Sequence, residues 1–324
     1  MSTHKLRLSS APASGAIFLI LCAFLSAGCS MVRRAGGLER RSLEYDGRER
    51  SYYLVRPNNM DGLGPVPLVL ALHGGGGNGR GMCRTAGGIQ LLVDAEGFLV
   101  ACPEGIDHHW NDGRQVESRQ TVRENVDDVG FLLALIEGLK SEYPIDENRI
   151  YVTGVSNGGM MSLRMACDGA NVFAAAAPVI AELPAALDCD PANPISVMLM
   201  DGTMDPLVPW DGGQVHFLRQ ELGQVLSTES TVSFWVNANR CPFAPTNSYL
   251  PDRDPKDGTR IRVESHESCA DDTRVLLYAV EGGGHTWPGG PQYAPRFLVG
   301  KVSKDAVAGE LIWSFFTGST RSSR

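Results

Sequence analysis

Short apolar runs, separated by segments in which apolar residues recur at helical spacing, make up most of this chain. Runs typical of buried strands lie at 67–72, 97–102, 149–155, 173–180, 195–200 and 274–279. One helix face is predicted by the spacing of Val129, Leu132, Leu133, Ile136 and Leu139, and further helices are predicted over 160–167 and 307–316. Nearer the start, Asp46-Gly47 between two strand-like segments predicts a hairpin. Strands that alternate with helices predict an α/β fold, a mostly parallel sheet with helices on both faces.

A serine motif lies between a predicted strand and a predicted helix. Gly154-Val155-Ser156-Asn157-Gly158 has the pattern G-x-S-x-G, in which the glycines permit a turn too sharp for side chains. In such a turn the serine hydroxyl projects above the end of the strand. The strand-turn-helix context resembles the nucleophile elbow of the α/β-hydrolases, and Ser156 is therefore the predicted nucleophile.

Two later motifs follow the carboxyl ends of predicted strands and carry the groups that a serine nucleophile needs. A serine hydroxyl requires a base to take its proton, and the base requires a carboxylate to hold its tautomer. Among the histidines after Ser156, His285 is the one that directly follows a predicted strand, which makes it the predicted base. Asp205 is the predicted acid, with Asp201 as the main alternative. The order Ser, Asp, His is that of the α/β-hydrolases.

A glycine-rich run after His73 predicts the site that stabilises the oxyanion. Acyl transfer places negative charge on the carbonyl oxygen, and fixed backbone N–H groups stabilise that charge. The N–H of Asn157 is one predicted donor, and Gly75 supplies the second, with Gly74 and Gly76 as alternatives. His73 is predicted to hold this loop by hydrogen bonding.

Two tryptophans lie on the predicted active face. Trp287 comes two residues after His285, and Trp110 lies in the polar loop after the strand that ends at Cys102. Each is a candidate for lining the substrate pocket, and packing is the equally supported alternative. The chemistry requires no cofactor, and no C-x-x-C or H-x-x-x-H spacing predicts a metal site.

The ends of the chain lie outside the predicted catalytic domain. Residues 1–28 have the basic start, apolar stretch and small residues of an export signal. Cys29 follows them in a pattern similar to a lipoprotein signal and is a candidate for lipidation, with ordinary signal-peptidase cleavage as the alternative. We expect a tether at 29–37, a single catalytic domain at 38–318 and a tail at 319–324. The predicted location is secreted or periplasmic, with membrane contact only through a lipid on Cys29.

Amino-acid composition and net charge limit the classes of molecule that this protein binds. The 324 residues are 43% hydrophobic and 20% charged, as in a globular protein with a sizeable core. A formal net charge of −8 offers no basic stripe to neutralise phosphates, which excludes nucleic acid and leaves an ester substrate as the expected partner. The connection at 181–194 is short, and cap domains of α/β-hydrolases usually enter near this point. We therefore expect no large cap domain and an open site suited to bulky or polymeric substrates.

Six cysteines remain after Cys22 and Cys29 are set aside. An even number in an exported protein predicts up to three disulfides, although spacing alone leaves many connectivities open. We predict that neighbours pair, which gives Cys83–Cys102, Cys167–Cys189 and Cys241–Cys269.

Taken together, the motifs resemble the polyhydroxybutyrate depolymerase and feruloyl esterase family of secreted α/β-hydrolases. The resemblance covers residues 72 to 289 and rests on Leu72-His73-Gly74-Gly75-Gly76, Asp127-Asp128-Val129-Gly130-Phe131, Gly154-Val155-Ser156-Asn157-Gly158-Gly159-Met160-Met161, Gly202-Thr203-Met204-Asp205 with Val208-Pro209, and Gly283-Gly284-His285-Thr286-Trp287-Pro288-Gly289. It implies carboxylic-ester hydrolysis of hydroxybutyrate oligomers or of feruloyl or acetyl esters of plant polysaccharide, through Ser156, Asp205 and His285. Asp201 departs from the histidine that the family commonly has before Gly-Thr. The alternatives are a peptidase of the same fold and a lipoprotein that binds a glycan or a partner without catalysis.

Overall fold

A mixed sheet of ten strands forms the centre of the computed structural model, which describes residues 37–242 and 244–321. Its spatial order is β1 (Glu39–Tyr45), β2 (Arg48–Val55), β4 (Leu99–Pro103), β3 (Val66–Leu72), β5 (Ile145–Val155), β6 (Ala175–Val179), β7 (Ser196–Gly202), β12 (Val275–Glu281), β11 (Arg260–His266) and β10 (Thr246–Tyr249). A separate hairpin pairs β8 (Gly213–Phe217) with β9 (Gln220–Val225).

The central strands, from β4 to β12, run parallel, which confirms the predicted α/β-hydrolase architecture. Every residue of β3 is buried. Strands covered on both faces need apolar residues at every position, which is why their sequences are continuous apolar runs. Antiparallel strands extend the sheet at both edges. In the first hairpin Asp46 and Gly47 both have positive φ, 51° and 68°, as a two-residue turn between twisted strands requires.

Helices cover both faces of the sheet. Within the described ranges they are α1 (Gly79–Thr85), α2 (Val93–Glu96), α3 (Gln120–Arg123), α4 (Asp128–Glu142), α5 (Asn157–Asp168), α6 (Thr228–Ala238), α7 (Arg296–Val299) and α8 (Ala308–Thr317). Residues of α4, α5 and α6 pack into one core cluster with the sheet, and residues of α1, α2 and α8 pack into a second cluster on the opposite face.

Packing on both faces fixes the strand that leads to the serine motif. The predicted face of α4 is the buried one, with Leu132, Ile136 and Leu139 in the first cluster. On the other face, the ring of Phe316 stacks on that of Tyr151 with centroids 4.5 Å apart. Tyr151 lies in β5, so close packing on both sides restricts the position of the strand end.

The region between β7 and β12 holds elements that the sequence pattern did not predict, namely the β8–β9 hairpin, α6, β10 and β11. The hairpin lies against two other loops. Arg114 Nη1 donates to the carbonyl of Leu222 at 2.9 Å, and Leu226 N donates to the carbonyl of Leu183 at 2.9 Å. The connection from β6 to β7 contains no helix, so no cap domain enters there.

Three disulfides join the cysteines in the neighbouring pairs that the sequence analysis chose: Cys83–Cys102, Cys167–Cys189 and Cys241–Cys269. The part of the chain that the structure describes has no helix long and apolar enough to cross a membrane. The predicted export signal at 1–28 and the lipidation candidate Cys29 lie outside the described residues, as do most of the tether and the end of the tail. The domain boundaries therefore stay a prediction.

Candidate active site

The three predicted catalytic residues follow strands that lie close together in the sheet. Ser156 follows β5, Asp205 lies in the loop after β7, and His285 lies in the loop after β12. In the sheet β7 and β12 are neighbours, and β6 separates β7 from β5. Because parallel strands end at the same edge, the three loops gather above that edge.

Ser156 occupies a turn that depends on its glycine neighbours. Its backbone has φ 55° and ψ −121°, a sparsely populated conformation for a residue with a side chain. A Cβ on Gly154 would lie 2.2 Å from the carbonyl oxygen of Gly158, and a Cβ on Gly158 would lie 2.3 Å from that of Leu72. Close approach of β3, β5 and α5 therefore requires both glycines. Ser156 N donates to the carbonyl of Val179 at 3.0 Å, which ties the turn to β6.

Asp205 is the carboxylate that contacts His285. His285 Nδ1 lies 2.7 Å from Asp205 Oδ2, and the two side chains are 6% and 2% exposed. The second oxygen, Oδ1, accepts hydrogen bonds from Leu207 N at 2.7 Å and Val208 N at 3.0 Å. Since an ionised carboxylate only accepts, Nδ1 carries the hydrogen and Nε2 keeps its lone pair for a proton.

The alternative acid, Asp201, does not contact His285. Its Oδ1 accepts from Ala181 N at 2.8 Å, so the side chain turns toward the segment after β6. The structure thus brings Asp205 and His285 together and places Asp201 elsewhere. Between the described residues Ser156 and His285 no hydrogen bond is formed in this conformation. Catalytic hydrogen bonds are often long without substrate and shorten in the reacting complex.

The backbone around His285 is held by two further bonds. His285 N donates to the carbonyl of Val299 at 2.6 Å, and the Tyr293 hydroxyl donates to the carbonyl of His285 at 2.9 Å. These bonds fix the loop that presents the imidazole. Tyr293 has no signal in the sequence, because a tyrosine eight residues after a histidine forms no motif.

His73 fixes the glycine-rich loop from inside. Its Nδ1 donates to the carbonyl of Gly74 at 2.9 Å, and its Nε2 accepts from Gly105 N at 3.0 Å. Burial lowers the pKa of His73 to about 4, so the ring stays neutral, as this pair of bonds requires. Trp110 Nε1 donates to the carbonyl of His73 at 2.9 Å. His73 therefore has the loop-holding position that the sequence indicated.

Gly75 and Asn157 adjoin each other beside the serine. A Cβ on Gly75 would lie 3.7 Å from the Cβ of Asn157. The N–H of Gly76 is already bonded to the carbonyl of His108 at 2.9 Å, which removes Gly76 as an oxyanion donor. Gly75 therefore stays the predicted second donor, with Gly74 as the alternative.

The side chain of Asn157 anchors the start of α5 to the loop after β4. Its Oδ1 accepts from Trp110 N at 2.8 Å, and its Nδ2 donates to Asp112 Oδ2 at 2.6 Å. Arg114 Nη2 lies 2.7 Å from the same carboxylate oxygen. This network fixes the direction of the Asn157 N–H. The sequence predicts a role for the main chain of Asn157 but none for Asp112 and Arg114, because no local pattern links these two residues to the elbow.

His109 lies over the glycine-rich loop, a position that no local sequence pattern predicts. A Cβ on Gly75 would lie 3.2 Å from His109 Cδ2 and 3.3 Å from its Nε2. Nδ1 donates to the carbonyl of Asp107 at 2.6 Å, and burial lowers the pKa of His109. The neutral ring keeps Nε2 as an acceptor close to the predicted oxyanion site.

The two tryptophans differ in how far they reach the surface. Trp110 is 2% exposed and packs on the ring of His73, with centroids 5.0 Å apart, which favours the packing alternative over substrate contact. Its position is set by packing inside the loop. Trp287 is partly exposed and packs on Gly87, where a Cβ would lie 2.6 Å from ring atom Cε3. A contact between Trp287 and substrate stays a prediction.

Comparisons with known proteins agree with this architecture. A model of the prolyl oligopeptidase family matches residues 91–183. The protein named "Putative esterase NocK" from Nocardia uniformis subsp. tsuyamanensis is 32% identical over 291 residues, which cover 86% of this chain and 82% of that protein. Feruloyl esterase B of Piromyces equi is 30% identical over 239 residues, which cover 71% of this chain and 41% of the Piromyces enzyme. The structure of acetyl xylan esterase from Aspergillus awamori superimposes with a TM-score of 0.56 at 16% identity, covering 86% of this chain and 99% of that chain, and shows a shared fold.

Proposed function

The chain belongs to the α/β-hydrolase esterase family, and on that premise we propose that it is an exported serine esterase that cleaves feruloyl or acetyl esters of plant polysaccharide. The observation that carries the proposal is the 2.7 Å contact between His285 Nδ1 and Asp205 Oδ2 beside the elbow of Ser156. That contact leaves Nε2 of His285 as the base that a serine hydroxyl needs.

The proposed reaction has two halves. Ser156 Oγ attacks the ester carbonyl carbon while His285 Nε2 takes the hydroxyl proton, and Asp205 stabilises the imidazolium that forms. The N–H groups of Asn157 and Gly75 donate to the oxyanion of the tetrahedral intermediate. Collapse of this intermediate breaks the bond to the alcohol, which leaves with the proton from His285. Water then attacks the carbon of the acyl-serine while His285 takes its proton. Collapse of this second intermediate frees the acid, and His285 returns the proton to Ser156 Oγ.

Exposed apolar side chains beside the catalytic loops support a bulky substrate. Met204, next to Asp205 in sequence, is 69% exposed, and Tyr293, bonded to the backbone of His285, is 58% exposed. Phe297, two residues before the backbone partner of His285, is 81% exposed. An aromatic acyl group such as a ferulate gains from contact with side chains of this kind.

Disulfide content supports export. The described chain holds three disulfides, and such bonds persist in oxidising compartments outside the cytoplasm. An enzyme that reaches polysaccharide has to leave the cell that makes it, so the two parts of the proposal agree.

Turnover of four ester substrates would test the proposal: p-nitrophenyl acetate, p-nitrophenyl butyrate, methyl ferulate and a soluble hydroxybutyrate oligomer. Ser156→Ala should lower kcat roughly ten-thousandfold or more. The exposed Ser314 lies on α8, and Ser314→Ala serves as the control that keeps full activity. Methyl ferulate or the acetate should be preferred over the oligomer. The reverse preference would assign the site to hydroxyalkanoate esters instead, and activity in Ser156→Ala would overturn the assignment of the nucleophile.

The family match at residues 91–183 favours a second candidate, a peptidase of the same fold. A proline-containing chromogenic peptide added to the same assay separates the two. Serine-dependent cleavage of the peptide with no cleavage of any ester would replace esterase by peptidase. If the wild-type protein cleaves none of the four esters and not the peptide, and a fluorophosphonate does not label it, the protein is a binding protein and not a hydrolase.

A further inference from the structure

Two acidic side chains that the catalytic scheme does not use lie buried behind the acid loop. Asp201 is in β7, four residues before Asp205, and Glu182 follows β6. The two residues are 4% and 1% exposed. A buried carboxylate is strongly destabilising unless hydrogen bonds or an opposite charge compensate for the lost water.

Neither side chain has that compensation on both of its oxygens. Asp201 Oδ1 accepts from Ala181 N at 2.8 Å. Glu182 Oε1 accepts from the hydroxyl of Thr228, and the hydroxyl of Thr231 also stabilises the Glu182 carboxyl group. The other oxygen of each, Asp201 Oδ2 and Glu182 Oε2, is buried without a hydrogen-bond partner. No cation among the described residues forms an ion pair with either carboxyl group. The charged groups that face the two are each other and Asp205, all of them acidic.

A proton held between the two carboxyl groups removes one of the two negative charges and supplies a hydrogen-bond donor for the unpartnered oxygens. Burial, followed by the other acidic groups, raises the pKa of Asp201 well above its ordinary value, and burial raises that of Glu182 to about 8. Two interacting carboxyl groups in this situation titrate as a unit, and one proton leaves well before the other. A protonated oxygen on one residue is a donor, which the unpartnered oxygen of the other residue requires.

We propose that Glu182 and Asp201 share one proton and form a positioning pair that holds the loop of Asp205 in register with the elbow of Ser156. This inference rests on the proposed esterase function for its catalytic consequence and on the buried oxygens alone for the shared proton.

Backbone hydrogen bonds connect the segment that carries Glu182 to the elbow of Ser156 and to β7. The segment after β6 is tied to the elbow, because the carbonyl of Val179 accepts from Ser156 N at 3.0 Å. The same segment is tied to β7, where Ile180 N donates to the carbonyl of Met200 at 2.9 Å and Ala181 N donates to Asp201. The pair adds a side-chain link at the end of these two strands, and Thr228 joins it to the start of α6. A change in the pair therefore reaches both the nucleophile and the acid.

Loss of the shared proton has a defined consequence. Two carboxylates then repel each other beside a third, Asp205, and the segment after β6 moves away from the end of β7. We expect kcat to fall reversibly at alkaline pH, by about tenfold per pH unit on the alkaline limb, because the catalytic residues lose their alignment. KM should change less than twofold, since neither side chain reaches the surface where substrate binds.

Infrared spectroscopy on the full-length exported protein tests the shared proton without an activity measurement. A protonated carboxyl group has a carbonyl stretch that a carboxylate lacks. The wild-type protein should show this band at pH 7 and lose it reversibly as the pH is raised, even if a variant fails to fold. Glu182→Gln and Asp201→Asn, which put an amide donor where the proton sits, should each remove the band, and the control Asp211→Asn at an exposed position should keep it. A wild-type spectrum without the band, or a band that both variants keep, would overturn the proposal.

The pH dependence of kcat tests the positioning role. Each amide variant keeps a donor between the two side chains at all pH values, so its alkaline limb should move up by one pH unit or more, with KM within twofold of wild type. Asp211→Asn should follow the wild-type curve. Variants that only lower kcat at every pH and keep the wild-type limb would show a merely structural role. A chain that has the infrared band but hydrolyses no ester would separate failure of the esterase assignment from failure of the shared proton.

Discussion

Replacement of Asp205 by asparagine tests the acid assignment through the tautomer of His285. Asp205 Oδ1 accepts from two backbone N–H groups, Leu207 N at 2.7 Å and Val208 N at 3.0 Å. In Asp205→Asn the amide oxygen has to take that position, because an NH₂ group there would face two donors. The NH₂ group then faces His285 Nδ1 at the position of Oδ2, 2.7 Å away. Nδ1 becomes the acceptor, the hydrogen moves to Nε2, and the ring loses the lone pair that accepts the serine proton.

The size of the effect follows from this geometry. Holding the wrong tautomer in an otherwise intact triad lowers kcat by about ten-thousandfold, which corresponds to about 5 kcal/mol of transition-state stabilisation. Steady-state hydrolysis of p-nitrophenyl acetate at neutral pH measures the change in kcat, and circular dichroism checks that the fold is retained. Asp211→Asn, which removes an exposed carboxylate from the same loop region, is the matched control and should keep wild-type kcat. The reasoning is refuted if Asp205→Asn keeps more than a tenth of wild-type kcat.

Three further substitutions probe the elbow, the buried acid and a disulfide. Gly158→Ala would place a Cβ 2.3 Å from the carbonyl oxygen of Leu72, so we expect little folded protein. The control Gly138→Ala in α4, with open space around its Cβ, should raise the free energy of unfolding by about 1 kcal/mol. Urea titration measures both variants, and a Gly158→Ala protein as stable as wild type would contradict the steric argument. Burial raises the pKa of Glu182 to about 8 in the folded chain, so the stabilisation from its bound proton is complete below the pKa of the unfolded side chain and is lost as pH rises toward 8. Urea unfolding at pH 5 and pH 8 should show a smaller decrease for Glu182→Gln, and equal decreases in the two proteins would count against the raised pKa. Replacement of Cys241 and Cys269 by serine opens a loop with a sequence separation of 28 and should lower the free energy of unfolding by about 4 kcal/mol. An unchanged midpoint of urea unfolding would show that the loop is ordered without the disulfide.

Much of the fold and the order of the site could be predicted from the sequence, because the signals are local. Continuous apolar runs at β3 and β5 report burial on both faces of a parallel sheet. The pattern around Ser156 predicts a turn that needs Gly154 and Gly158, because a Cβ on either residue would lie within 2.3 Å of a carbonyl oxygen. Once three motifs follow parallel strands in chain order, their loops have to meet at one edge of the sheet.

Other elements of the fold could not be predicted from residues adjacent in sequence. The strands β8, β10 and β11 are largely polar and are ordered by partner strands and by the bond from Cys241 to Cys269. His266 shows the consequence. The sequence pattern predicts no strand before His266, yet this residue ends β11. Because β11 runs antiparallel to β12, its carboxyl end lies at the edge of the sheet away from His285.

The sequence by itself determined that loops carrying a serine, an aspartate and a histidine lie at one edge of a parallel sheet. Buried strands and glycine turns can be recognised from residues that are adjacent in sequence. Only the tertiary structure shows that Asp205 contacts His285, whereas Asp201 binds the backbone N–H of Ala181. It also decided that Trp110 is buried and that Glu182 lies behind the acid loop. Burial and hydrogen-bond partners depend on residues that are distant in sequence, and only the packed chain brings those residues together.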